Sequence, residues 1–244
     1  MSERTSETSA GDSLLGAPVF KKWYDAAYQQ WIRQYYLRTL LSDDLEATLF
    51  KWTGSGNGSD YVVERNTSVA WEGLASLHIK SRTSGATATD QVSAVRLFPM
   101  AGSKMLKFFV NAWRFESVSY VAYVYFTVDW YDALNHYTAS IRYDVVNQKW
   151  SYLNSTNTWS DILSPHKLAA SAWLTFELDL DFTAYKYLRL LVNDKPLQNI
   201  NASFYSTADT SDLTQAKVTL QATTQGANPA EAYFDKIALT EISE

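Results

Sequence analysis

From residue 61 to residue 241 the chain is a succession of short segments in which apolar and polar residues alternate with period 2. A β-strand sends successive side chains to opposite faces, so a segment of this kind buries one face and wets the other. The pattern predicts strands near 61–65, 75–82, 91–98, 105–116, 118–131, 137–144, 148–153, 173–182, 185–192, 217–224 and 231–241. Turn signals separate them: Ser84-Gly85, Ala101-Gly102, Asp132 to Asn135, Asn154 to Thr158, Asn193-Asp194 and Gly226 to Pro229. About eleven short strands without helix-length connections exclude a parallel βαβ sheet. They point to an all-β, two-sheet antiparallel sandwich of jelly-roll type.

Parity assigns the faces. Val118, Tyr120, Ala122, Val124, Phe126, Val128 and Trp130 share one side and read as core. Tyr123, Tyr125, Thr127, Asp129 and Tyr131 share the other and can meet solvent. Over 137–145, Tyr137, Ala139, Ile141, Tyr143 and Val145 face in, while Arg142 and Asp144 face out. Over 174–182, Leu174, Phe176, Leu178, Leu180 and Phe182 face in, and Glu177, Asp179 and Asp181 face out.

The first 41 residues read differently. Residues 1–16 form a polar arm. Pro18 then suits the first turn of a helix over about 18–40, whose apolar face includes Trp23, Tyr24, Trp31 and Tyr35. The expected organisation is an arm and amphipathic helix over 1–41 and a sandwich over 42–244. The wide aromatic face suits either packing on the sandwich or docking to another subunit. Gly54, Gly56 and Gly58 read as a flexible turn.

Composition narrows the partners. A net charge of -5 gives no footprint for nucleic acid and no polybasic membrane patch. The absence of cysteine removes disulfides and thiolate chemistry. No stretch approaches a membrane span, and the N-terminus does not read as a secretory signal. His78, His136 and His166 lack the spacing of a zinc site. There is no G-x-S-x-G elbow, P-loop or dinucleotide fingerprint. Aromatic residues, with 9 Trp, 16 Tyr and 11 Phe, make up 15% of the chain. Trp150, Tyr152 and Trp159 flank a polar turn, and aromatics beside Asn, Asp and Arg suit stacking and hydrogen bonding to sugar rings. The candidate ligand surface is Tyr123, Tyr125, Tyr131, Arg142, Asp144 and Trp159.

Asp43-Asp44-Leu45-Glu46, Trp52 and Ala70-Trp71-Glu72-Gly73-Leu74-Ala75-Ser76-Leu77 resemble the opening of jelly-roll carbohydrate-binding modules. Tyr233-Phe234-Asp235-Lys236-Ile237 resembles their closing strand. The resemblance implies a structural Ca2+ held by Glu46 and Asp235 with backbone carbonyls, although Leu45 and Lys236 depart from the usual Phe and Asn. Ala172-Trp173-Leu174-Thr175-Phe176 with Tyr187 to Asp194 resembles a hairpin of concanavalin-like sandwiches. Glu177-Leu178-Asp179-Leu180-Asp181 resembles the catalytic strand of laminarinase-type glycoside hydrolases, with Asp in place of the final Glu.

Three functions are weighed. The favoured one is a non-enzymatic structural or decoration component of a phage virion or similar assembly. It would be made in the cytoplasm without a signal peptide and would sit at the particle surface, self-assembling or joining other subunits. The alternatives are a carbohydrate-binding module with a glycan partner and a laminarinase-like hydrolase.

Overall fold

The computed structural model describes residues 36–46, 50–58, 60–83, 85–99, 105–163, 165–209 and 214–243. The elements in chain order are β1 (Tyr36–Asp43), β2 (Thr53–Gly56), β3 (Val62–Asn66), β4 (Ser76–Lys80), β5 (Gln91–Pro99), β6 (Met105–Phe115), β7 (Val121–Asp132) and β8 (Asn135–Asp144). They continue as β9 (Lys149–Leu153), β10 (Trp159–Leu163), β11 (Leu174–Asp181), β12 (Lys186–Val192), β13 (Lys195–Asn199), β14 (Tyr205–Ala208), β15 (Thr214–Thr224) and β16 (Glu231–Ser243). Among the described residues there is no helix.

Two eight-stranded antiparallel sheets form. The first runs β13-β12-β11-β6-β16-β4-β3, with β1 also on β16. The second runs β10-β9-β8-β7-β15-β5-β2, with β14 on β8. The consecutive strands β6 and β7 lie in different sheets, and β16 and β15 return to pair beside them. This is the expected all-β, two-sheet sandwich.

The core between the sheets is aromatic. Phe126 of β7 stacks on Phe176 of β11 at 4.1 Å and meets Trp113 of β6 edge-on at 5.1 Å. Trp113 also meets Trp150 of β9 at 6.0 Å. Offset and edge-on rings of this kind add to the stabilisation from burial alone. Tyr187 crosses from β12 to the other sheet. Its hydroxyl accepts the Ser140 N–H at 2.7 Å and lies 2.9 Å from the Leu153 carbonyl, to which it donates. Burial pushes that phenol well above its ordinary pKa.

All eleven expected strands are present, and five more were not foreseen. Residues 36–40, expected as the end of a helix, instead open β1, which pairs with β16 from Tyr36 to Asp43. The rest of the expected helix, with Trp23, Tyr24, Trp31 and Tyr35, lies outside the described residues. The glycine segment read as a turn contains β2. Gly54 and Gly56 let the Tyr61 ring lie on its backbone, where a Cβ at either position would approach the ring to 2.8 Å. The short strands β10, β13 and β14 carry too few alternations to stand out.

Parity fails at one place. The register of β7 on β15 shifts between Thr223 and Thr224, leaving Ala122 without a paired position. A bulge reverses which side faces in. Val121 is therefore buried; Val118 and Tyr120, assigned to the core by parity, lie in the turn before β7 and are exposed.

Candidate functional site

Glu46 and Asp235, 189 positions apart, converge on one turn, residues 71–75. Asp235 points outward from β16 yet is fully buried, because that turn covers it. Its Oδ2 accepts the N–H groups of Trp71 at 3.1 Å and Glu72 at 3.4 Å, and its Oδ1 accepts that of Lys236 at 2.8 Å. Glu46 accepts the N–H of Leu74 at 2.8 Å and of Ala75 at 3.4 Å. Gly73, at φ +81, is needed twice over: L side chains disfavour that backbone, and a Cβ there would collide with the Glu46 carboxylate. The Lys236 ammonium pairs with Glu72 rather than with Asp235.

Calcium takes six to eight oxygen ligands. This turn offers N–H donors to the two carboxylates, and among the described residues no group of three or more His, Asp or Glu is placed to hold a metal. In this arrangement the residues fit a hydrogen-bonded latch and not a cation cage. Burial raises the Asp235 pKa, and the three N–H groups only partly offset it.

The outward face of the second sheet assembles most of the expected ligand surface. Tyr123 and Tyr125 come from β7, Arg142 from β8 and Trp159 from β10. Arg142 lies directly across from Tyr125 and, on its other side, from Ser151 of β9. Its guanidinium sits 4.5 Å from the Tyr123 ring centre and 4.2 Å from that of Trp159. Tyr125 meets Trp159 edge-on at 5.6 Å and Tyr123 at 5.9 Å. All four side chains are half-buried. Burial pushes the Tyr125 hydroxyl pKa up.

Tyr131 belongs to a second cluster, eight residues from Tyr123 and six from Tyr125 along the same strand face, and so roughly 20–26 Å away. There the buried Asp129 accepts from Thr138 at 2.8 Å, lies 2.8 Å from His136 Nε2, and pairs with Lys217 at 2.9 Å. Tyr131 stacks on His136 at 4.2 Å. Burial opposes the Asp129 charge, but His136, Lys217 and Thr138 outweigh it and hold the carboxyl below its usual range. Asp144 is a turn cap, accepting the N–H and the side-chain amide of Asn147 at 2.8 and 2.9 Å. Trp150, expected beside the polar turn, is fully buried in the core.

The laminarinase-like triplet lies on the outward face of the first sheet, and its carboxylates are already occupied. Glu177 meets Lys107 at 2.8 Å and Arg189 at 3.2 Å. Asp179 meets Arg189 at 2.8 Å. Asp181 caps its own turn through the N–H groups of Thr183 and Ala184.

Sequence reasoning missed a cluster on the same face. His78 lies between Glu64 at 3.0 Å and Glu231 at 2.9 Å and stacks on Tyr233 at 4.6 Å. Two carboxylates on two ring nitrogens are both satisfied only when both nitrogens donate, so the arrangement favours the imidazolium form. Burial opposes this, but the glutamates raise the His78 pKa, and Glu231 is pulled down to about 2. Arg114 continues the row toward the Trp173 ring, and Trp71 follows edge-on at 6.1 Å. Period-2 spacing places each residue on its face, but Glu231 and Tyr233 come from β16, and Glu231 lies 153 positions beyond His78.

No protein family matches the sequence, and no curated protein does. Solved structures do match. A carbohydrate esterase of the Shiga toxin-encoding bacteriophage phi24B aligns with a TM-score of 0.56 and 11% identity, over 86% of this chain and 100% of that one. The cellulose-induced protein Cip1 aligns with a TM-score of 0.54 and 15% identity, over 82% of this chain and 96% of that one. A sialidase aligns with a TM-score of 0.52 and 9% identity, over 84% of this chain and 19% of its own. β-Sandwich carbohydrate-binding modules and a β-glucanase also match, at TM-scores of 0.42 and 0.45. At these identities the likeness is one of fold alone: the chain is a two-sheet antiparallel β-sandwich.

Proposed function

We propose that this sandwich binds glycans, without catalysis, through the outward face of its second sheet, and that it serves as a component of a phage-type particle. The observation that carries the reading is the cluster of Tyr123, Tyr125, Arg142 and Trp159, contributed by three strands to one face. Aromatic faces and edges beside a guanidinium are what a sugar ring needs for stacking and hydrogen bonding. A glycan array tests it. Wild type is expected to bind a defined set of glycans, and Trp159→Ala and Tyr125→Ala are expected to lose them; a silent array in wild type contradicts the reading.

The particle role is supported by the fold shared with a phage-encoded carbohydrate esterase. Its assembly residues, Trp23, Tyr24, Trp31 and Tyr35, precede β1. Light scattering on the full chain beside a chain starting at Tyr36 tests this. A multimer that falls to a monomer on truncation supports assembly through the N-terminal residues, and a monomeric full chain contradicts it.

A further inference from the structure

Arg142 differs from the other arginines whose side chains are described. Arg82, Arg96, Arg114 and Arg189 each meet a carboxylate, and Arg65 donates to the carbonyls of Leu45 and Glu46. Among the described residues Arg142 has no ion pair, and its Nε is buried without an acceptor. Two carboxylates lie on the same part of the sheet, and both are engaged elsewhere. Asp161 holds Lys149 and Ser151, each at 2.9 Å. Asp144 holds Asn147.

Removing a guanidinium from water without a partner is costly. Cation–π contacts with Tyr123 and Trp159 offset part of that cost and hold the plane of the group fixed. A fixed guanidinium presents its N–H fork with little ordering entropy left to lose. The group that best matches such a fork is a planar carboxylate, bound through two parallel charge-assisted hydrogen bonds.

We propose that the ligand of this face is an acidic saccharide, and that Arg142 takes its carboxylate while Tyr125 and Trp159 contact the sugar ring. This rests on the glycan-binding reading above and adds the substrate class. Neutral sugars offer the same hydroxyls and ring faces but leave the guanidinium without an anion.

The test uses polygalacturonate, alginate, hyaluronan and polysialic acid, each beside its carboxyl-reduced form, with affinity electrophoresis or calorimetry as readout. Wild type is expected to bind at least one acidic polymer roughly tenfold or more tighter than its reduced form. Arg142→Gln is expected to erase that difference, and Arg142→Lys, which keeps the charge without the fork, to restore part of it. If wild type binds acidic and reduced forms equally, or Arg142→Gln keeps the preference, the acidic assignment fails while glycan binding stands. Binding of neutral array glycans alone has the same meaning. If nothing binds on the array or among the polymers, both fail. Should Arg142→Gln not fold, the wild-type comparison of acidic and reduced polymers still decides.

Discussion

The outward faces of the two sheets are built from the same residue types and spend them differently. On the first sheet, charge is paired internally: Lys107 and Arg189 with Glu177 and Asp179, and His78 with Glu64 and Glu231. On the second sheet, Asp129 is paired in the same manner and Asp161 holds Lys149, but Arg142 itself has no carboxylate partner among the described residues. A face whose charges neutralise one another has little left to offer a ligand. A guanidinium stacked between rings and lacking an anion keeps its place for a carboxylate open. The contrast sets the proposed recognition surface apart from the structural polar clusters without appeal to any relative.

Substitutions that probe the contrast should differ in size. The largest effect is expected at Asp129→Ala, which leaves Lys217 and the half-buried His136 without their anion. Breaking a buried pair in this way costs about 3–5 kcal/mol, measured by urea unfolding. A loss below about 1 kcal/mol would mean that the cluster is not structural.

A smaller effect is expected from pH at His78. Its folded pKa is raised, so its stabilising contribution is fully present below the unfolded value of about 6.5 and is lost as pH rises through the folded value. Melting temperature in wild type should therefore decline as pH rises above about 6.5. His78→Phe should be less stable at low pH and should lack that decline; an identical slope in the variant would remove His78 as its cause.

Smaller again is Glu177→Gln. Lys107 and Arg189 remain close to Asp179, and surface pairs are worth about 0–1 kcal/mol. Unfolding should shift by no more than that. A loss of β-glucan hydrolysis in this variant, with wild type active, would overturn the non-catalytic reading. A similarly small stability effect is expected at Arg142→Gln, within about 1 kcal/mol, because no ion pair is broken and the lost cation–π contacts are offset by removal of a partly desolvated charge. The same change should cost ligand binding, which is the contrast in its sharpest form.

The period-2 pattern made the sandwich legible, since alternation over eleven segments leaves few other architectures. It also made the second face legible, because Tyr123, Tyr125 and Arg142 follow from parity once β7 and β8 are recognised. Three kinds of information were not there to read. The Ala122 bulge depends on the pairing with β15, which lies about 100 residues downstream. The division of the second face into a cage and an Asp129 cluster depends on Lys217, contributed by that same distant strand. The donors that Glu46 and Asp235 meet are a third case: spacing places carboxylates, while the orientation of N–H groups in residues 71–75 depends on backbone torsions such as that of Gly73. Likewise β1 was read as helix because its apolar residues continue a 3–4 spacing from upstream, and only pairing with β16 makes them a strand.

The central claim is that the second face recognises ligand and the first does not, and each face carries a tryptophan to test it. Trp159 lies on Arg142 in the cage, while Trp71 stands 54% exposed beside Trp173 on the other side of the sandwich. Glycan affinity should be measured by calorimetry for wild type, Trp159→Ala and Trp71→Ala. Loss of binding in Trp159→Ala with wild-type affinity in Trp71→Ala is the predicted result. Wild-type affinity in Trp159→Ala with loss in Trp71→Ala would contradict the account and move recognition to the first sheet.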